Sequence, residues 1–309
     1  MQVHEGEMTV SSPSQDRPVQ GVLWMLATGF CFVVVNVIVR YLGEDLPAAQ
    51  SAFIRFAWSF VFLVPTLGPY LRGGIGARAW QLFGLRGALH TVAIILWFFA
   101  MARIPMAEVT AIGYLNPIVV TVGAALLLGE GFARRRMIAI GVALIGALIV
   151  IRPGMREIQI GHLSQLGAAL SFGLSYLVAK QLSGIAPAGV VVAMLSGVVT
   201  ICLAPIAFVV WEPVELHQVM WLGGVAVFAS AAHYCMTKAF ASAPMTVTQP
   251  VTFLQLVWAS IFGAVLFGEA VDPFVLAGGA LIIGAISYMT WREAQLRRRV
   301  TPVVNQTKV

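Results

Sequence analysis

The stretch Pro105–Glu130, PMAEVTAIGYLNPIVVTVGAALLLGE, is written a second time as Pro244–Glu269, PMTVTQPVTFLQLVWASIFGAVLFGE. At a shift of 139 residues, and without a gap, the copies share their opening Pro-Met, Leu115/Leu254, Ala125/Ala264, Leu127/Leu266 and the closing pairs Gly129-Glu130 and Gly268-Glu269. Each copy is an apolar run that meets the roughly 20 residues a membrane-spanning helix needs. A unit repeated at almost half the chain length sets the first question, which is how far the repeat extends.

It extends in both directions. Gly21, Leu23, Leu26, Phe32 and Pro65 recur at a shift of 140 as Gly161, Leu163, Leu166, Phe172 and Pro205, and Arg40 meets Lys180. Beyond the Gly-Glu pairs the shift becomes 138, matching Gly141 and Gly146 to Gly279 and Gly284. The composition agrees with a membrane chain. Of 309 residues, 59% are hydrophobic and 10% charged, with a mean hydropathy of +0.89. Soluble domains carry about 25% charged residues. A net charge of +6 would suggest nucleic acid in a soluble protein. Here the basic residues fall in short loops and the tail, where they report topology, so no nucleic-acid partner is expected.

Ten segments are long and apolar enough, some only just, to be read as spanning helices: about 19–41, 48–69, 80–101, 106–128, 137–152, 162–182, 187–211, 217–241, 245–267 and 274–291. The connections are short and carry turn signals such as Gly73-Gly74 and Pro153-Gly154. With the N-terminus in the cytoplasm, thirteen Lys and Arg fall on the inner side and four (Arg40, Arg103, Arg152, Arg156) on the outer side. The positive-inside rule therefore places both ends in the cytoplasm. Residues 1–18 are polar and acidic and read as a disordered cytoplasmic tail without the basic start of a secretory signal. Residues 19–152 form the first repeat, 161–291 the second, and 292–309 a basic cytoplasmic tail. Five helices per copy is an odd number, so the second copy enters the membrane inverted. The expected fold is all-α and integral to the membrane, ten transmembrane helices arranged as two five-helix inverted-topology repeats. That architecture is the one by which carriers alternate access to a central site.

Three features carry a family resemblance: the run Phe53-Ile54-Arg55-Phe56, the run Trp97-Phe98-Phe99-Ala100-Met101, and the paired Pro…Gly-Glu stretches. Together with the tandem five-helix units they resemble the EamA branch of the drug/metabolite transporter superfamily, from Val19 to Trp291. The resemblance implies a central cavity between the halves and movement of a small organic solute across the bacterial inner membrane. It covers solutes as different as amino acids, S-adenosylmethionine, riboflavin, nucleosides and metallophores. The pattern from Arg86-Gly87 through Trp97 to Ile104-Pro105-Met106-Ala107-Glu108 is most similar to the branch with S-adenosylmethionine and riboflavin carriers.

Polar groups at membrane depth each require a reason, because an ionisable side chain at mid-membrane costs about 2.5–3.5 kcal/mol on insertion scales. Arg55 lies roughly 12 Å from one end of its helix and reads either as half of a buried pair or as a cavity residue. Arg86, roughly 9 Å from an end, and Lys238 read as snorkelling anchors. Glu108 sits in the first turn of its helix, where a carboxylate meets the helix dipole favourably. His90 shares a helix face with Arg86, Trp97 and Met101. His90, Trp97 and His233 are cavity candidates, and the competing reading is an interhelical hydrogen bond with packed aromatics.

A smaller pattern, Thr28, Phe32, Asn36 and Arg40 at every fourth residue, is answered by Phe172, Tyr176 and Lys180. Asn36 and Tyr176 are equivalent positions. They read equally as cavity residues or as interhelical bonds worth about 0.6 kcal/mol. In the opening stretch, Thr110, Tyr114 and Thr121 share a face and Asn116-Pro117 interrupts the helix; its copy offers Gln249-Pro250, Thr252, Gln255 and Ser260. A proline inside a spanning helix frees a carbonyl that must find another partner or a wet cavity. The candidate solute-binding residues are therefore Asn36, Arg55, His90, Trp97, Tyr114, Asn116, Tyr176, His233, Gln249 and Gln255. Ala139, Ala143 and Ala147, with Ala280 and Gly284, form small-residue faces for close helix packing.

No catalytic residue, metal site or cofactor is expected. Cys31, Cys202 and Cys235 stand singly in apolar segments, and no phosphate-binding loop follows a strand. The expected partners are a small-molecule substrate and the lipid bilayer, with a monomer sufficing and an oligomer as the alternative. A secondary carrier is the leading class. A polytopic membrane enzyme lacks the clustered groups it would need, and a channel lacks filter loops or charged rings.

Overall fold

A computed structural model of the chain describes residues 18–43, 45–116, 118–120, 122–123, 134–155, 157–182, 185–242 and 249–300. Its elements are helical: α1 (Pro18–Leu42), α2 (Ala48–Leu63), α3 (Ala77–Arg103), α4 (Met106–Gly113), α5 (Arg134–Ile151), α6 (Ile160–Leu182), α7 (Ala188–Val209), α8 (Leu216–Ser242), α9 (Phe253–Phe267) and α10 (Pro273–Val300). A 3₁₀ turn, Val64–Leu67, and a short helical turn, Gly68–Arg72, extend α2, while the 3₁₀ turn Gln249–Thr252 leads into α9.

Prolines set many of the boundaries. Pro47, Pro105 and Pro187 stand at the N-caps of α2, α4 and α7 with ψ of 136°, 141° and 145°, where their missing N–H removes a donor that the helix could not satisfy. Within the repeated stretch the interruptions differ. In the first copy α4 closes at Gly113 and turns through Tyr114 before Asn116-Pro117, whose proline disfavours a helical residue ahead of it. In the second copy Pro250 lies in the 3₁₀ turn.

Among the described residues, five spans are long and apolar enough to cross a membrane: Val19–Leu42, Ala48–Arg72, Ala77–Arg103, Gly189–Val209 and Leu216–Met236. Met106–Val120, Met137–Ile151, Leu254–Phe267 and Pro273–Met289 are apolar but shorter. Length and composition alone thus identify five spans among the described residues; the ten segments read from the sequence include stretches, such as 124–133 and 243–248, that lie outside them.

The packing has an internal symmetry. α1 lies along α8 and α6 along α3, while α2 packs on α7, α4 on α9 and α5 on α10. Exchanging each helix with the one five places on leaves that set of neighbours unchanged. The main core, including Val39, Phe98, Met101, Ile112, Leu203, Leu222 and Ile282, runs through the middle of the bundle. A second cluster around Leu67, Phe83, Leu182 and Val190 closes one end of the α2, α3, α6 and α7 group.

The α5/α10 contact shows why its glycines are glycines. A Cβ on Gly278 would stand 2.5 Å from the Gly146 carbonyl oxygen, and one on Gly146 would stand 2.7 Å from the Gly278 oxygen. Two backbones meet there, which only small residues permit. Ala139, Ala143 and Ala147 are buried as the sequence suggested. Gly284 has nothing within 4 Å, so the tight crossing lies at Gly278, not at Gly284.

Gly268 ends α9 in the left-handed conformation (φ 66°), which glycine adopts without steric penalty. The chain then folds back so that Glu269 N–H donates to the Gly263 carbonyl at 3.0 Å. A Cβ on Gly263 would meet Glu269 Oε2 at 2.5 Å, so Gly263 makes room for that carboxylate. The first-copy pair, Gly129-Glu130, lies outside the described residues.

Loop anchoring is specific at Gln50, which is fully buried. Its Nε2 donates to the Glu212 carbonyl and its Oε1 accepts the Glu212 N–H, both at 2.9 Å. Gln50→Leu leaves one backbone donor and one acceptor unpaired, at about 1–3 kcal/mol each. A drop of several degrees in the melting temperature of the purified protein is the expected reading.

Candidate functional site

A cavity of about 230 Å³ opens in the middle of the bundle. α1 supplies Phe32, Val35 and Asn36, and α2 supplies Arg55. From α3 come His90, Ile94 and Trp97; from α4 and the turn after it, Val109, Thr110, Gly113, Tyr114 and Asn116. α6 adds Gln165, Phe172 and Tyr176, α8 adds Ala229 and His233, and α9 adds Gln255. Nine of the ten residues singled out from the sequence converge here. The tenth, Gln249, opens the 3₁₀ turn, and its side chain is outside the described set, as is Thr121.

The walls reflect the repeat. Phe32 of α1 meets His233 of α8 edge-on, with centroids 5.4 Å apart, and Phe172 of α6 meets His90 of α3 edge-on at 4.9 Å. The two phenylalanines are the equivalent positions noted at a shift of 140, and each packs on a histidine from the other half. Tyr176 stacks beside Phe172 at 6.1 Å with the planes 12° apart. The result is an aromatic surface with polar groups set between the rings.

The polar groups divide into satisfied and unsatisfied atoms. Tyr114 Oη donates to the Thr252 carbonyl at 2.8 Å, holding the turn after α4 against the start of α9. Thr110 Oγ1 donates to the Met106 carbonyl at 2.8 Å and accepts from Asn36 Nδ2 at 3.5 Å. Ser175 Oγ donates to the Arg86 carbonyl at 3.3 Å, so it accepts from His90 Nδ1, also at 3.3 Å. That assigns a proton to Nδ1, so in a neutral His90 the lone pair lies on Nε2. Gln165 Nε2 donates to the Val109 carbonyl at 3.0 Å, while its Oε1 has no partner. Arg55 Nη1 and Asn116 Oδ1 are likewise buried and unpartnered. Buried polar atoms are ordinarily paired, so one donor and two acceptors left unpaired on residues that line one cavity call for a polar partner.

Arg55 is 8% exposed, and its guanidinium carbon lies 4.0 Å from the Phe56 ring centre. Of the two readings left open for it, the structure shows no carboxylate partner among the described residues and a place on the cavity wall. Arg86 corrects an expectation. It does not snorkel; it is equally buried and donates from Nη1 to the Val191 carbonyl of α7 at 3.0 Å. α7 crosses α3 at this point, with Gly87 lying directly under Val198, so the side chain ends in protein. The proposed face of His90, Arg86, Trp97 and Met101 therefore splits: His90 and Trp97 reach the cavity, whereas Met101 is fully buried. Lys238 is exposed, 5.6 Å from the Tyr234 ring.

Gln165 escaped sequence reasoning, although a lone glutamine in the apolar run of α6 was a signal. Glu108 is more than a first-turn carboxylate. Its Oε2 lies 2.7 Å from His162 Nε2, with both side chains 3% exposed. Nothing local in the sequence links two residues on separate helices.

A solved structure covering 92% of this chain and all of its own superposes with a TM-score of 0.59 at 15% identity, which speaks for the fold. The riboflavin transporter of Vibrio cholerae is 28% identical over 92% of this chain and 97% of its own. The S-adenosylmethionine uptake transporter of Rickettsia prowazekii is 24% identical (88% and 93%), and the pseudopaline exporter of Pseudomonas aeruginosa 26% identical (86% and 94%). The model of the EamA-like transporter family matches twice, over residues 19–152 and 159–291. With apolar helices long enough to span a membrane, a polar cavity at their centre and these three relatives all transporters, the chain belongs to the EamA-like transporter family and is a small-metabolite transporter, not an enzyme.

Proposed function

We propose that the central cavity is the solute-binding site of this transporter, and that its solute is a compact polar metabolite with a planar or ring portion. The unpartnered Arg55 Nη1 carries this reading. It asks for a carboxylate, phosphate or polarised carbonyl, while His90 Nε2, Asn116 Oδ1 and Gln165 Oε1 ask for N–H or O–H groups on the same molecule. Trp97, Tyr176 and Phe172 supply a surface for its ring. At about 230 Å³ the cavity is smaller than the roughly 300–1,000 Å³ of pockets for drug-sized ligands. A fused-ring solute therefore requires a wider conformation than this one.

The two family matches and the exchange symmetry of the packing support two five-helix halves, inverted in the membrane, that alternate access to the cavity. The balance of Lys and Arg supports both termini in the cytoplasm, and the family membership with its bacterial relatives supports residence in a bacterial inner membrane. One copy contains all the groups named, so a monomer suffices.

Metabolite profiles on both sides of the membrane, in cells with and without the protein, identify the solute. Counterflow of that solute into proteoliposomes is expected to saturate without ATP and to fall at least about tenfold in His90→Ala and Trp97→Ala, as expected for loss of one good contact. Wild-type counterflow by both variants, correctly inserted, places the site elsewhere.

A further inference from the structure

Helices α5 and α10 run antiparallel: a Cβ on Gly146 would meet Ile282, whereas one on Gly278, a turn earlier on α10, would meet Val150, a turn later on α5. They touch at the Gly146/Gly278 crossing and differ on either side of it. Towards Val150 the contact is closed. Val150 is fully buried, and Arg152 at the end of α5 pairs with Asp272 just before α10. Towards Arg134 the helices part. Gly141 and Gly284, at matching levels of the two helices, each have nothing within 4 Å. A groove of about 290 Å³ opens there between Ile138, Ala139 and Val142 on α5 and Gly284, Ala285 and Tyr288 on α10.

At the shift of 138 that relates α5 to α10, Asp272 corresponds to Arg134 and Arg152 to Thr290. One end of the crossing therefore holds an arginine with its carboxylate, while the equivalent positions at the other end hold an arginine and a threonine. A second arginine, Arg292, stands at the level of Arg134 in the same antiparallel register. Arg134, Ile138 and Val142 are spaced by four on α5, as are Gly284, Tyr288 and Arg292 on α10, so each stripe runs from the groove to an arginine. Arg134 is exposed, and Arg292 donates from Nη1 to Gln295 of its own helix. Glu293, the one acidic residue in the α10 sequence, lies about 100° round the helix from Arg292. Two like charges thus flank the mouth of an apolar groove.

From this arrangement we propose that the groove seats one acyl chain of an anionic phospholipid, whose phosphate lies between Arg134 and Arg292. The dimensions are those of one leaflet. Arg134 stands about 18 Å along α5 from Gly146 at 1.5 Å per residue, close to the roughly 15 Å of half a hydrocarbon core. The groove is therefore closed near mid-membrane and open at the surface. Tyr288 and Trp291, both about half exposed with ring centroids 6.2 Å apart, mark the headgroup level, where such rings collect. The lipid does at this end what Asp272 does at the other: it supplies the negative charge and ties α5 to α10. Charge favours a lipid over a second copy of this chain, since a twofold partner in the same membrane orientation would bring its own Arg134 and Arg292 to this level. With both termini in the cytoplasm the leaflet is the cytoplasmic one, whose surface potential is negative. The site is separate from the solute cavity and draws on none of its residues.

Native mass spectrometry of the purified full-length chain tests this, with phosphatidylglycerol, phosphatidylethanolamine and glycerol 3-phosphate offered in turn. Phosphatidylglycerol is expected to be retained, phosphatidylethanolamine far less, and glycerol 3-phosphate, which has no acyl chain, not at all. Two arginines near an anionic surface are worth about 30-fold in affinity, so Arg134→Gln with Arg292→Gln should weaken phosphatidylglycerol retention by about that factor. Arg297→Gln with Arg298→Gln removes the same charge from the same end of α10 beyond the groove and should weaken it much less. Gly284→Leu fills the groove floor and should abolish retention with both arginines in place. Phosphatidylglycerol should also raise the melting temperature of the wild type by several degrees, and the variants that lose retention should lose that rise. Melting without lipid reports whether each variant is folded, and the arginine variants decide the matter if Gly284→Leu is not. Equal retention of the two phospholipids, equal loss in the two double variants, or full retention by folded Gly284→Leu overturns the proposal. So does a dimer that Gly284→Leu dissociates, which puts a second copy in the groove. No solute enters these experiments, so their failure leaves the transport reading standing, and a failed counterflow assay leaves this one standing.

Discussion

Arg55→Leu is expected to reduce transport by about 10- to 100-fold while leaving the helical bundle as stable as before or more so. A hydrogen bond to a charged group is worth about 1.5–3 kcal/mol, and 1.36 kcal/mol is a factor of ten. In the proposed site, removing the guanidinium removes the solute's strongest contact. The same side chain is a cost to the empty protein, since its Nη1 is buried without a partner and an arginine at mid-membrane costs about 2.5–3.5 kcal/mol on insertion scales. Leucine relieves that cost. Stability and transport should therefore move in opposite directions, which distinguishes a binding residue from a structural one. Arg55→Lys is expected to recover only part of the rate, because a point charge on a flexible stem does not reproduce the planar fork. Counterflow and melting temperature measured on the same preparation decide it: a variant that transports normally, or one that loses stability and rate together, excludes Arg55 as the anchor.

The second large effect is at the α5/α10 crossing. Gly278→Ala adds one methyl group 2.5 Å from the Gly146 carbonyl oxygen, a backbone atom that no side-chain rotation moves, and 2.7 Å from Val150 Cγ2. Overpacking of a tight contact costs about 1–3 kcal/mol, and here the two backbones must separate. Gly284→Ala, six residues further along the same helix, meets nothing within 4 Å and gains up to about 1 kcal/mol of helix propensity. The first substitution should lower the melting temperature by several degrees, and the second should leave it unchanged or raise it. Equal responses of the two variants would show that the crossing is looser than described.

Much of the cavity was legible in the chain because a polar residue at membrane depth has few uses. Asn36, Arg55, His90, Tyr176 and His233 each interrupt an apolar run, and the energetics of the bilayer make every such interruption conspicuous. The repeat added a second constraint by tying Phe32 to Phe172 and Asn36 to Tyr176. What it did not reveal was the partner of each group. Arg86 was read as an anchor because distance along a helix says nothing about a neighbouring helix crossing above it. Glu108 was explained by its own helix because its partner is 54 residues away. Glu269, read only as the close of the second copy, reaches Arg40 and Met106 across the bundle.

The sequence by itself determined that this is a helical membrane carrier built from a repeated unit, and which residues are too polar to face lipid. Apolar length, repeat spacing and the cost of burying charge are properties of the chain, and they survive any arrangement of the helices. Only the tertiary structure decided which polar groups are satisfied by protein and which are left without a protein partner, and that residues of the two matched segments are joined by ion pairs. Those facts depend on contacts between helices far apart in sequence, where a displacement of about one turn, roughly 5.4 Å, exchanges one partner for another.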